Sequence, residues 1–140
     1  MFPPVQDTNF GIQNTWFSYD PNMYATNPTS TDIFLDALTV NFTVNSGESV
    51  YFLFNTYAVV TGGGLTAIQF NFVLDGLKKG PPTYPELIYA SNGADQYGSV
   101  TLQITSVISA GFHNLTISIM GSYVGNGIRD STLLVQTYIP

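Results

Sequence analysis

Residues 38–44 read Leu-Thr-Val-Asn-Phe-Thr-Val, and every second side chain is apolar: Leu38, Val40, Phe42 and Val44, with Thr39, Asn41 and Thr43 between them. Side chains that alternate in this way belong to a β-strand, and one apolar side means one packed face and one wet face. The pattern returns along the chain. Ile68, Phe70, Phe72 and Leu74 enclose Gln69, Asn71 and Val73; Val100, Leu102 and Ile104 enclose Thr101 and Gln103; Leu115, Ile117 and Ile119 enclose Thr116 and Ser118. No segment sustains apolar spacings of three and four, and strong helix formers are scarce, so the sequence predicts no helix.

Two stretches are apolar on both faces. From 49 to 60, Val50, Phe52, Phe54 and Ala58 share one side while Tyr51, Leu53, Tyr57 and Val59 share the other. From 133 to 139, Leu133, Val135 and Ile139 oppose Leu134 and Tyr138. Such strands are covered twice. The second cover is either a loop of the same chain or another subunit. On the subunit reading, Tyr51, Leu53, Tyr57, Val59, Leu134 and Tyr138 form an oligomer interface.

Turn chemistry separates the strands: Asn45-Ser46-Gly47, Gly62-Gly63-Gly64, Asp75-Gly76, Asn92-Gly93, Ala110-Gly111 and Gly125-Asn126-Gly127. The proline-rich 80–85 reads as a loop or edge excursion, because proline cannot donate to a ladder. Strands of about ten residues, each followed by a turn, predict an all-β fold: an antiparallel two-sheet β-sandwich of jelly-roll topology. Residues 1–30 are expected to be an irregular segment with one short strand at Trp16, Phe17 and Tyr19, packed on the sandwich. Residues 31–140 form the jelly roll, and the whole is one structural domain.

Composition narrows the function. Of 140 residues only 9% are charged, Lys+Arg number 3 against 9 Asp+Glu, and the net charge is −6. So few cations argue against nucleic acid as a partner. The absence of cysteine excludes disulfides, thiolate metal sites and cysteine nucleophiles. No apolar run reaches the ~18 residues of a membrane span. The opening Met-Phe-Pro-Pro-Val-Gln-Asp lacks the regions of a signal peptide, which suggests release without one, as inside a virion, or an excised domain.

Nothing assembles a catalytic set. His113 is the one histidine and reads as a polar residue at a strand start, without the carboxylate a triad would need. Asp32 and Asp36, four apart, would share a strand face, but a polar edge explains them as well as a carboxylate pair does. Loop oxygens of Asp75, Asn92, Asp95 and Asp130 could meet calcium, yet no Asp-x-Asp-x-Asp run is present. No cofactor is expected and no enzyme is predicted. Lys78-Lys79 reads as a solvated hairpin tip. Asn41-Phe42-Thr43 and Asn114-Leu115-Thr116 are glycosylation acceptor patterns on the polar faces of their strands.

From 45 to 140 the layout resembles the jelly roll of the tumour necrosis factor and complement globular-head family. The features are "VLDGLKKG" as a hairpin with a polar tip, "YGSVTLQITSVISAGFHNLTISI" as two strands around a small-residue turn, and the glycine-containing loop "GSYVGNGIRD". The closing "STLLVQTYI" resembles that family's last strand, with Ser131, Thr132 and Leu133 in the leading places and the internal glycine missing. The resemblance implies a two-sheet sandwich in a compact homotrimer, without catalytic residues.

The expectation is therefore a non-enzymatic structural or attachment protein on the exterior of a virus particle, as a spike, turret, vertex or coat component. Low charge also resembles that of archaeal virus exteriors from hot acidic water. Expected partners are copies of itself, a trimer favoured, other virion or surface proteins, and a host-surface glycan. The alternative is a carbohydrate-binding or adhesion module of a larger extracellular or surface-layer protein, in which an exposed Trp16 and tyrosines would stack on sugar rings.

Overall fold

The computed structural model describes residues 11–26, 31–61, 65–121 and 126–140. The strands are β1 (Gly11–Asp20), β2 (Tyr24–Ala25), β3 (Ile33–Phe34), β4 (Val40–Val44), β5 (Ser49–Val60), β6 (Leu65–Leu74), β7 (Leu77–Lys78), β8 (Glu86–Asn92), β9 (Gln96–Ser106), β10 (Gly111–Gly121) and β11 (Gly127–Ile139). One sheet runs β1-β11-β5-β9, with β2 also on β11. The other carries β3 and β4 on one side of β10, then β6, then β7 and β8. All pairs are antiparallel.

The pairings are nested. β6 pairs with β8, β5 with β9 around them, β4 with β10 around those, and β1 with β11 outermost. A hairpin of strands folded over into two sheets in this order is a jelly roll. The two alternating inner faces meet in one core. Phe42, Phe52, Phe54, Phe70 and Phe72 are fully buried there, and ring centroids lie 5.8 Å apart for Phe42–Phe52, 5.7 Å for Phe52–Phe72 and 5.8 Å for Phe54–Phe70. Each such side chain contributes about 1.5–3 kcal/mol by leaving water.

The turn at Asp75-Gly76 closes β6 onto β7 with Leu74 opposite Leu77. Its two residues have φ of 51° and 79°, the left-handed pair that a two-residue hairpin needs to match strand twist. The glycine turn at 62–64 and Gly125 lie outside the described residues.

Three expectations change. The segment expected to be irregular around a short strand at Trp16–Tyr19 carries a ten-residue strand, β1, on the edge of the first sheet; residues 1–10 and 27–30 lie outside the described residues. Propensity gave little sign of it, since Gly11–Asp20 draws its order from pairing with β11. Trp16, expected to be exposed, faces Val135 across that pairing and therefore turns inward, 6.0 Å from Phe42. Asp32 and Asp36 do not share a strand face. Asp36 opens a 3-10 turn, Asp36–Leu38, that buries Leu38 and interrupts the edge between β3 and β4.

Candidate functional site

The outer face of the first sheet follows from its register. Pairing sets Phe17 of β1 opposite Leu134 of β11, Leu134 opposite Leu53 of β5, and Leu53 opposite Gln103 of β9. On this face Phe17 is 61% exposed and Ile12, beside Tyr138, is 62% exposed. Tyr51, Leu53, Leu134 and Tyr138 are half-buried between them. Phe17–Leu134–Leu53 is thus an apolar row across three strands, bordered by polar groups. Tyr51 donates its hydroxyl to Gln103 Oε1 at 2.9 Å, and Asn55 Nδ2 donates to Thr101 Oγ1 at 2.8 Å. The contribution of β1 could not be read from alternation in β5 and β11.

Tyr57 and Val59, placed with that face by sequence, line a separate cleft at its far end. The cleft measures about 520 Å³ and is bounded by Met23, Tyr24, Tyr57, Val59, Tyr97 and Arg129, with Gly127 and Ile128 at its base. Gly127, Val59 and Tyr97 share a cross-strand row, and the missing side chain at Gly127 lets the Tyr24 backbone close in, since a Cβ there would lie 2.8 Å from the Tyr24 carbonyl oxygen. The Arg129 guanidinium lies 4.8 Å from the Tyr57 ring centroid and its Nε 3.8 Å from Asp130 Oδ2. Tyr24 closes one wall, its hydroxyl donating to Asp20 Oδ2. That bond, then the backbone N–H of Asn22, hold the Asp20 carboxyl below its ordinary range against the opposing effect of burial. A bulge at Asp130-Ser131 aims Arg129 outward. It is pinned from beneath by Thr56 Oγ1, 2.8 Å from Ser131 Oγ and 3.0 Å from the Arg129 carbonyl.

His113 lies near the start of a strand, as the third residue of β10. It is buried, its ring stacks on Phe42 at 5.7 Å, and Asp75 stands beside it after all. The carboxylate comes from the β6–β7 turn, 38 residues away, which no local motif announces. The pair is unfit as a catalytic base, because Nε2, the nitrogen that would take a proton, is held 2.7 Å from the Ser109 carbonyl. Lys78 is exposed in the hairpin, and its Nζ meets Asp32 Oδ1 at 2.9 Å, which ties the hairpin to the segment before β3. Lys79 lies over the Tyr84 ring at 5.7 Å. Among the described residues no three carboxylate or imidazole groups lie together as a metal site would require, and no helix is long and apolar enough to cross a membrane.

Asn41 and Asn114 face each other across the β4–β10 pairing on the outer side of the second sheet. Asn41 is exposed and Asn114 half-buried.

No protein-family model matches the chain, and no curated protein sequence does. Similar solved structures exist. The structure of infectious bursal disease virus, Gx strain, is 12% identical over 91% of this chain and 34% of its own, with a TM-score of 0.52. The VP2 subviral particle of infectious bursal disease virus is 14% identical over 89% of this chain and 32% of its own, at 0.50. The CBM36-1 domain of a multidomain xylanase from the hindgut metagenome of Trinervitermes trinervoides is 11% identical over 87% and 96%, at 0.44. The chain thus spans about a third of the viral chains it matches. At such identities the two viral structures share with it the jelly-roll sandwich, and a fold alone does not carry an activity.

Proposed function

We propose that this jelly roll is a non-enzymatic structural or attachment protein on the exterior of a virus particle, assembling with copies of itself through the outer face of its first sheet. The observation that carries the reading is the row Phe17–Leu134–Leu53, apolar and open on a face where a sandwich usually presents polar groups. Tyr51 and Tyr138 extend the contact, and Tyr57 and Val59 lie at its rim. The resemblance of the closing strands to the tumour necrosis factor and complement heads favours a trimer. The low charge suits an exterior in acidic surroundings, as on an archaeal virus. Other virion or surface proteins would meet the remaining faces. Sedimentation of the full chain tests it: the wild type is expected as a trimer and the Leu53→Asp Leu134→Asp double variant as a monomer, since the new carboxylates would be buried unpaired. A wild type that is monomeric at tens of micromolar overturns the contact.

The cleft favours a second reading, a carbohydrate-binding or adhesion module of an extracellular protein. Tyr97 is 57% exposed beside it and offers a ring face to a sugar. A glycan array probed with the wild type and with Tyr97→Ala tests this, with binding expected in the first and lost in the second. An array without a bound glycan overturns it.

A further inference from the structure

A sheet edge is a row of unpaired donors and acceptors, and chains that must stay apart interrupt such rows with bulges, prolines, charges or short strands. Three of the four edges here are interrupted. The β1 edge has a register shift between Ile12 and Asn14. The β3–β4 edge consists of two and five residues separated by the Asp36–Leu38 turn. The β7–β8 edge is broken by a turn and resumes after Pro85 with the charged Glu86.

The fourth edge has no such device. β9 is eleven residues long and pairs with β5 from Gln96 to Ser106 without a break in register. It contains no proline and no charge in a chain of net charge −6. Among the described residues nothing is hydrogen-bonded along its other side.

We propose that the open edge of β9 joins two copies of this chain, antiparallel about a two-fold axis at Thr101, the middle residue of the strand. This register pairs like with like. Thr101 meets Thr101 of the other copy, Ser99 meets Gln103 and Tyr97 meets Thr105 on the outer face, while Val100 meets Leu102 on the core face, so alternation continues across the junction. Charge selects a second copy as the occupant. The Asp95 carboxylate just before the strand is carried to opposite ends of the pair, roughly 40 Å apart at about 3.3 Å per residue, so no like charges face each other along the paired strands. The contact uses a different surface from the Phe17–Leu134–Leu53 face and goes beyond it, since a shell or lattice needs two kinds of contact.

The cysteine-free sequence allows a direct test in the full chain. Single variants Thr101→Cys, Ser99→Cys and Gln103→Cys are treated with a short bismaleimide, with Asn41→Cys on the second sheet as control. Hydrogen exchange is measured on the unmodified chain across a dilution series. Cross-linked dimer is expected at Thr101 well above the control, and the β9 amides that point away from β5 are expected to be protected at high concentration. Both should persist in the Leu53→Asp Leu134→Asp background. Three results would each overturn the edge contact: cross-linking at the three β9 positions no greater than at Asn41, outward β9 amides exchanging as fast as loop amides at every concentration, or loss of both signals when the face is disrupted.

Discussion

His113 and Asp75 are joined across 2.7 Å, Nδ1 to Oδ2, while the other ring nitrogen is 2.7 Å from the Ser109 carbonyl. Both partners are acceptors, so only the doubly protonated ring donates to both. Burial, the largest influence, pushes the His113 pKa down, but the Asp75 hydrogen bond, the Ser109 carbonyl and the Asp75 charge outweigh it and raise it above its ordinary 6.5. For Asp75, burial pushes upward and is outweighed by the His113 bond, the Asn114 N–H and the charges of His113 and Lys79, which together lower it below 3.8. A raised histidine stabilises the fold below its unfolded pKa and loses that contribution as pH rises through the folded value. A lowered carboxylate stabilises above its unfolded pKa and loses that contribution as pH falls through the folded one. Both contributions are present between pH 3.8 and 6.5. The melting temperature is expected to be highest there and to fall as pH rises past the His113 pKa. In His113→Gln that alkaline fall should vanish. An unchanged profile in the variant would place the dependence elsewhere.

Phe42 touches Trp16, Phe52 and His113 with centroids 6.0, 5.8 and 5.7 Å away. It therefore joins β1, the core and the His113 pair. Phe42→Ala is expected to cost about 3–5 kcal/mol in urea unfolding, at the upper end if the cavity stays open. The same variant should weaken the pH dependence, because His113 loses its stacking partner.

Gly121 ends β10 against buried Thr26. A methyl group there would lie 2.2 Å from Thr26 Oγ1 and 2.3 Å from its Cβ. Neither atom is the far end of a flexible chain, so Gly121→Ala is expected to lower stability by roughly 1–3 kcal/mol through overpacking. Thr26→Gly should restore much of it. An unchanged melting temperature in Gly121→Ala would mean that β2 moves away freely.

The two acceptor asparagines are directly opposed, so their side chains start about 5 Å apart and cannot both carry a glycan in the folded sheet. Thr116, which completes the second pattern, is buried and donates its hydroxyl to the Leu35 carbonyl at 2.8 Å. Expression in a glycosylating host is expected to give one glycan per chain by intact mass, abolished in Asn41→Gln and retained in Asn114→Gln.

The strands were legible wherever one face is core and the other is water, as at Val40–Val44 or Val100–Gln103. There the alternation is imposed by burial itself. β1 was legible only around Trp16 because Gln13, Asn14 and Thr15 lie on an edge, where little burial is enforced. The outward face of β5 was recognised as apolar from Tyr51 and Leu53, but not its division into a row and a cleft. That division depends on Phe17 and Tyr24, whose neighbours are set by register with β11. The His113–Asp75 bond escaped the sequence for the same reason, since it spans two turns that only the folded sheet brings together.

The nesting of the pairings has a consequence for how the chain comes to be folded. Gly11 is paired in register with Ile139, so the outermost pair cannot form until Ile139 has left the ribosome. Among the nested pairs β6 with β8 closes the shortest loop and each later pair closes a longer one, with an entropy cost that rises only slowly with length. Assembly is therefore expected to zip outward from β6 and β8 on the slow, millisecond-to-second scale of non-local β-topologies. Until β11 arrives, β5 is paired along one edge only, with β9, and its other edge is open, so a nascent chain stalled before Gly127 would be the species most in need of a chaperone.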